Sequence, residues 1–192
     1  MEVYEDVMFR IPLYKVKIEP WQEVKQKILG CISGSKYHID PKGNNFSTDF
    51  SDQFDPFGFF IEEQRHYSQN VYEILNPWIA KISTNVFGRE IPESSPNMWT
   101  QKYCNNSEHP IHNHGNRGYS FILYLEYDNE VHLPTKFYSP FGNFFHGNIL
   151  EFCPNVVEGT LICFPSVINH TSQRQKTDKE RMILSFNMFS NG

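Results

Sequence analysis

The stretch His109-Pro110-Ile111-His112-Asn113-His114-Gly115 holds three of the chain's eight histidines within six positions. Residues two apart on a strand point to the same side, so His112 and His114 can present both imidazoles to one metal ion. Such a pair is a weak motif alone, since a surface or hydrogen-bonded pair is the ordinary alternative. Two distant segments strengthen it. Gly159-Thr-Leu-Ile-Cys-Phe-Pro165-Ser166-Val-Ile-Asn-His170 runs an apolar strand into a Pro-Ser turn and ends on a third imidazole. Arg181 then opens the apolar run Arg181-Met-Ile-Leu-Ser185-Phe-Asn187-Met-Phe. A charged residue is rarely buried without a partner, and a planar guanidinium suits a carboxylate. Ser185, four residues on, shares its face. The plainer alternative for Arg181 is a rim ion pair with Glu180 or Asp178.

Outward from these residues the pattern is strand-like. Period-two runs predict strands at 98–104, 118–127, 130–138, 143–152, 159–164 and 181–189, separated by turn residues. Towards the N-terminus, 7–18 reads as an opening strand. A helix follows from Pro20, with Trp21, Val24, Ile28 and Leu29 on one face and Gly30 near its end. Residues 62–85 give the strongest helix, with Tyr67, Val71, Ile74, Leu75, Trp78 and Ile82 at three- and four-residue intervals. Pro77 is expected to kink or divide it. Between the two helices, 33–58 is a polar loop with one short strand at most, and its phenylalanines suggest that it packs over something. One domain over 1–192 is expected: helical support and loops at 1–95, a β core with the site at 96–192.

Composition narrows the function. The 192 residues suffice for one self-sufficient core, and 17 Phe, 10 Tyr and 3 Trp favour pleated faces over helical bundles. A formal charge of −5 gives no general attraction to nucleic acid. No apolar run reaches a membrane span. Cys31, Cys104, Cys153 and Cys163 lack metal spacing, and the acidic start Met1-Glu2-Val-Tyr-Glu-Asp does not read as a signal peptide, so none is expected. Reduced thiols in a cytoplasmic protein are the expectation, host cytoplasm if the chain is phage-encoded.

Taken together, His112-x-His114, Gly118-Tyr-Ser-Phe-Ile-Leu-Tyr124-Leu, the 159–170 segment and Glu180-Arg-Met-Ile-Leu-Ser-Phe-Asn187 resemble the Fe(II)/2-oxoglutarate-dependent oxygenases. The likeness is greatest to the small bacterial and phage-type subfamily related to prolyl 4-hydroxylases. Met98-Trp99-Thr-Gln101-Lys-Tyr103 also fits. The resemblance implies a double-stranded β-helix (a cupin-like jelly roll) with iron at one mouth, mainly β with N-terminal helices. It implies His112, His114 and His170 as metal ligands and Arg181, with Ser185, as the holder of 2-oxoglutarate. Gln101, Tyr103, Tyr124 and Asn187 are implied to line the co-substrate pocket. The cofactors would be Fe(II) and 2-oxoglutarate, and the reaction hydroxylation coupled to release of succinate. The family's usual ligand set is two histidines and one carboxylate, and here His114 stands at the carboxylate position. Glu108, Glu126 or Asp128 could supply a carboxylate instead, with His109 behind the ligands.

Two other readings stay open. A three-histidine cupin, acting as a dioxygenase or isomerase without 2-oxoglutarate, would use the same imidazoles. The glutamate expected soon after its first motif is missing, because Gly118 and Tyr119 occupy that region, and Arg181 would have no task. A non-enzymatic jelly-roll binding module needs no metal at all. A small molecule or peptide is the expected substrate, with loops 33–60 and 129–146, including His132 and His146, selecting it. The slight preference is for peptidyl-proline or an amino acid, and a homo-oligomer is allowed.

Overall fold

The computed structural model describes residues 10–40, 43–50, 67–87, 97–116, 118–143 and 145–188. Eleven strands and two helices are formed among them. β1 (Tyr14–Lys17) leads into α1 (Trp21–Ile32), then the two-residue strands β2 (His38–Ile39) and β3 (Ser47–Thr48), then α2 (Ser68–Phe87). The remaining strands are β4 (Asn97–Tyr103), β5 (His109–His112), β6 (Tyr119–Glu126), β7 (Thr135–Gly142), β8 (Ile149–Phe152), β9 (Thr160–Pro165), β10 (His170–Ser172) and β11 (Arg181–Met188).

These strands form two antiparallel sheets that face each other as a double-stranded β-helix. The larger has the order β1-β9-β6-β11-β4-β3-β2, the smaller β5-β10-β7-β8. Alternation along the long strands divides the large sheet's side chains into two sets. Phe121, Leu123 and Leu125 of β6, Leu161 and Cys163 of β9, and Met182, Leu184 and Phe186 of β11 point outward to the helices. There they meet Trp21, Val24 and Ile28 of α1 and Val71, Leu75 and Ile79 of α2. The intervening residues Ile122, Tyr124, Ile162, Phe164 and Ile183 point inward, toward Phe137 of the small sheet. Arg181, Ser185 and Asn187 share the parity of Ile183, so the strand that anchors the helices also carries the polar groups to the inner face.

The helix-to-sheet joint is polar at one place. Lys25 of α1 is buried and reaches Glu126 at 2.8 Å and Glu158 at 2.9 Å. The Trp21 indole N–H donates to Glu158 at 2.8 Å. Gly159 follows with φ +80, and a Cβ there would lie 2.7 Å from the Trp21 ring, so only glycine lets the indole approach.

Several element boundaries differ from the expectations. α2 runs unbroken through Pro77, which its packed apolar face tolerates. α1 continues past Gly30 to Ile32. The expected strand at 130–138 begins only at Thr135, because Val131 and His132 turn back to donate to the Asp128 carbonyl at 3.2 and 2.8 Å. The expected strand at 143–152 is a turn followed by β8. Asn143 Oδ1 accepts from the backbone of Phe145 and His146, and Gly147 N–H returns to the Asn143 carbonyl. Residues 7–9 of the expected first strand and 62–66 of the expected second helix lie outside the described residues, as do Phe54, Phe57, Phe59 and Phe60. Among the described residues, no helix is long and apolar enough to cross a membrane.

Candidate metal centre

The small sheet sets two of the histidines side by side. His112 on β5 and His170 on β10 are directly opposed in the ladder, and Phe137 of β7 faces His170 from the other side. One row on, Ser172 opposes His109 and Thr135. Three residues of β5 therefore span two of β10, a bulge that turns His109 and His112 to the same face. Their rings stack at 3.9 Å. His114 lies beyond the end of β5. Its N–H donates to the Ser166 carbonyl at 2.9 Å, which carries it over to the turn after β9.

The three imidazoles of His112, His114 and His170 converge, with one nitrogen from each within 4.8 Å of the others. Ring centroids are 4.3 Å apart for His112 and His170, 5.0 Å for His114 and His170, and 5.3 Å for His112 and His114. Nδ1 of His112 donates to the Pro110 carbonyl at 2.8 Å, and Nδ1 of His170 to the Ile168 carbonyl at 3.0 Å. A carbonyl can only accept, so both protons sit on Nδ1 and Nε2 carries the lone pair. His114 Nδ1 is engaged too, by Asn187 Oδ1 at 2.7 Å. His170 is 3% exposed, and burial, with two further imidazoles beside it, holds it neutral well below the usual histidine range. Burial likewise lowers His114. Three converging imidazoles, each with Nδ1 engaged and Nε2 free to face the centre, are the donor set a divalent transition metal takes.

Arg181 completes the arrangement. Its side chain is 0% exposed. Nη1 donates to Ser172 Oγ at 2.6 Å, Nη2 to Thr135 Oγ1 at 3.4 Å, and Nε has no partner. The guanidinium carbon lies 5.0 Å from the Tyr103 ring centre and 5.6 Å from that of Tyr124. No carboxylate among the described residues pairs with it. Glu180 instead binds Lys102 at 3.3 Å, so the rim ion pair is not formed. A buried cation held only by hydroxyls and aromatic faces is an acceptor-starved group, and it fits an anionic ligand.

Of the remaining sequence candidates, Gln101, Tyr103 and Ser185 line one cavity with the three histidines, together with His109, Trp99, Ile122, Thr135, Ser172 and Ile183. Gln101 Nε2 also donates to His109 Nδ1 at 3.1 Å. Tyr124 lies behind Arg181, its hydroxyl donating to Thr135 Oγ1 at 3.1 Å. Asn187 lies against His114 rather than along the cavity wall. The alternative carboxylates are committed elsewhere: Glu108 to Arg174 at 2.6 Å, Glu126 to Lys25, and Asp128 to Lys179 at 2.6 Å. His132 is buried, with Nδ1 accepting from Asp128 N–H at 2.9 Å and Nε2 donating to the Lys179 carbonyl at 3.0 Å. It braces a loop, and His146 is exposed at the hairpin tip. Sequence reading missed Ser120, Ser166, Ser172 and Thr135. Small hydroxyls give no signal until the strand partners are known.

Residues 97–187, just under half of the chain, match the family described as "Putative 2OG-Fe(II) oxygenase". No curated protein matches in sequence. Among solved structures, a prolyl-4-hydroxylase from Pseudomonas putida aligns at TM-score 0.55 and 12% identity, covering 94% of each chain. A 2OG-Fe(II) oxygenase family oxidoreductase from Burkholderia pseudomallei aligns at TM-score 0.60 and 13% identity, over 90% of this chain and 84% of that one. The epimerase SnoN from nogalamycin biosynthesis, seen in one structure with Fe3+ and alpha ketoglutarate, aligns at TM-score 0.59 and 12% identity, over 92% and 78%. At these identities the structural likeness speaks for the fold, and the family match covers all three histidines and Arg181. Residues 97–187 thus match the 2OG-Fe(II) oxygenase family model, and the chain shares the fold of solved 2OG-Fe(II) oxygenases, a prolyl-4-hydroxylase among them.

Proposed function

We propose that the chain hydroxylates an organic substrate at an iron centre held by His112, His114 and His170, with 2-oxoglutarate as co-substrate. The observation that supports this most strongly is Arg181, a fully buried cation without a carboxylate, bonded to two residues that line the same cavity as the histidines. A three-histidine centre without a keto acid would leave that cation without a purpose.

When bound, iron and 2-oxoglutarate supply the oxidising power: dioxygen is reduced, the keto acid is decarboxylated to succinate, and a substrate C–H becomes C–OH. The chain's own residues do the rest. The Nδ1–H bonds of His112 and His170 to backbone carbonyls fix both rings and aim Nε2 at the metal. Arg181 would hold one carboxylate of the keto acid, and the hydroxyls of Ser172 and Thr135 hold its fork in position. Phe137 and Phe164, with ring centres 5.8 and 4.9 Å from His170, keep water from the side of that ligand. Three neutral ligands would leave a divalent iron its full charge, of which one carboxylate of the keto acid would offset one unit while its other carboxylate would offset Arg181.

Peptidyl-proline or an amino acid is our preferred substrate class, on the likeness to prolyl hydroxylases. The exposed rings of Phe141 and Phe145 on the β7–β8 hairpin are the surface we assign to gripping it.

The test is anaerobic addition of Fe(II) and 2-oxoglutarate to metal-free protein, watching for the visible metal-to-ligand charge-transfer band. Wild type should show it, and both His170→Ala and Arg181→Ala should lose it, the latter through roughly hundredfold weaker co-substrate binding. Bound iron without a band in the wild type would sink the 2-oxoglutarate reading. Substrate is then sought by succinate release on proline-containing peptides and free amino acids.

A further inference from the structure

His114 stands where a carboxylate is usual, and it differs from the other two histidines in what holds it. His112 and His170 are fixed by backbone carbonyls two residues before them, whereas His114 is fixed by side chains of the large sheet. Asn187 of β11 is directly opposite Ser120 of β6 in the ladder. Ser120 Oγ donates to Asn187 Oδ1 at 2.7 Å, lies 2.9 Å from Ser166 Oγ, and lies 2.9 Å from His114 Nδ1. Asn187 Oδ1 is 2.7 Å from the same Nδ1.

With the Asn187 carbonyl oxygen facing His114, the proton inventory of this cluster has one consistent solution. A hydroxyl has a single proton, and that of Ser120 is spent on Asn187 Oδ1. Ser166 must therefore donate to Ser120 Oγ, and His114 must carry its proton on Nδ1, shared between Asn187 Oδ1 and Ser120 Oγ. Nε2 is left with the lone pair. With the amide turned round, its NH₂ would donate to Nδ1, the proton would move to Nε2, and the position toward the metal would be closed. The tautomer that can bind metal thus depends on an acceptor oxygen at residue 187.

We infer that Asn187, backed by Ser120 and Ser166, is the positioning residue that makes His114 a metal ligand in place of a carboxylate. It acts through His114 and touches neither metal nor substrate. The inference rests on the proposed reading of His114 as a ligand.

Co(II) binding to the full-length apo protein tests it, read by titration calorimetry and by the visible d–d spectrum, with near-ultraviolet circular dichroism as the check on folding. Asn187→Leu keeps the size and removes the acceptor, and should weaken Co(II) binding roughly tenfold to hundredfold. Asn187→Asp can only accept, and should hold affinity within about threefold of wild type while shifting the d–d band. A purely structural Asn187 would not produce that split between variants. Should Asn187→Leu fail to fold, Ser120→Ala carries the test, with a loss of about threefold or more expected. Wild-type affinity and spectrum in the folded Asn187→Leu, or in Ser120→Ala where it stands in, overturn the assignment. His114→Ala separates the two claims. If it loses binding while Asn187→Leu does not, only the role of Asn187 falls; if it binds as wild type, the ligand reading of His114 falls with it.

Discussion

The two sheets of this molecule are built differently and do different work. The large sheet has four adjacent strands of six to eight residues, β9, β6, β11 and β4, with helices behind it and apolar side chains on both faces. The small sheet has strands of three or four residues apart from β7, and all four residues of β8 are exposed. Yet the small sheet supplies His112 and His170, while Arg181, Ser185 and Asn187 come from the large one. The candidate metal ligands sit on the thin wall, and Arg181, the candidate holder of an anion, on the thick one. His114 joins them, leaving β5 of the small sheet and tying to β6, β9's turn and β11 of the large. A site shared between two walls is complete only when both are docked.

The comparison breaks if substitutions in the two sheets prove equally costly. Leu184→Ala, fully buried between β11 and the helices, should cost about 3 kcal/mol, measured by urea unfolding. Gly159→Ala forces a Cβ into the Trp21 ring at a positive φ and should cost roughly 2 kcal/mol, loosening the helix joint while leaving Co(II) affinity intact. At the link between the sheets, burial lowers the pKa of His132 below its ordinary 6.5. The unfolded chain then takes up that proton first, so stability should fall as the pH drops below about 6.5. His132→Gln should flatten that slope in unfolding measured across pH 7.5 to 5.5, and an unchanged slope would remove His132 from the account. Leu150→Ala on β8, half-exposed, should change stability by no more than about 0.5 kcal/mol.

The same contrast decides what the sequence made legible. β6, β9 and β11 are six to eight residues long, almost continuously apolar and buried on both faces, so their positions and the shared face of Arg181 and Ser185 could be read directly. β5 and β10 are too short and too polar to show a period, and they emerged only as strand ends beside histidines. The turn at 143–148 hid behind the phenylalanines around it, since aromatic content reads as strand whether or not the backbone is extended. Asn187 was read as a pocket wall because its contact with His114 joins residues far apart in the chain. No local pattern encodes that contact. The commitments of Glu108, Glu126 and Asp128 to lysine and arginine were equally invisible, being matters of which surface each strand end meets.

The opposition of His112 and His170 has a kinetic meaning as well. The ladder between β5 and β10 closes a long loop for only two paired positions, so little is gained locally for the chain entropy lost. Contacts of that kind should form after the long strands have condensed around the helices. A metal ion gripping both strands therefore acts after the folding barrier has been crossed. It should slow unfolding in proportion to its affinity and leave the refolding rate unchanged, so that occupancy of the site governs how long the folded chain lasts rather than how quickly it forms.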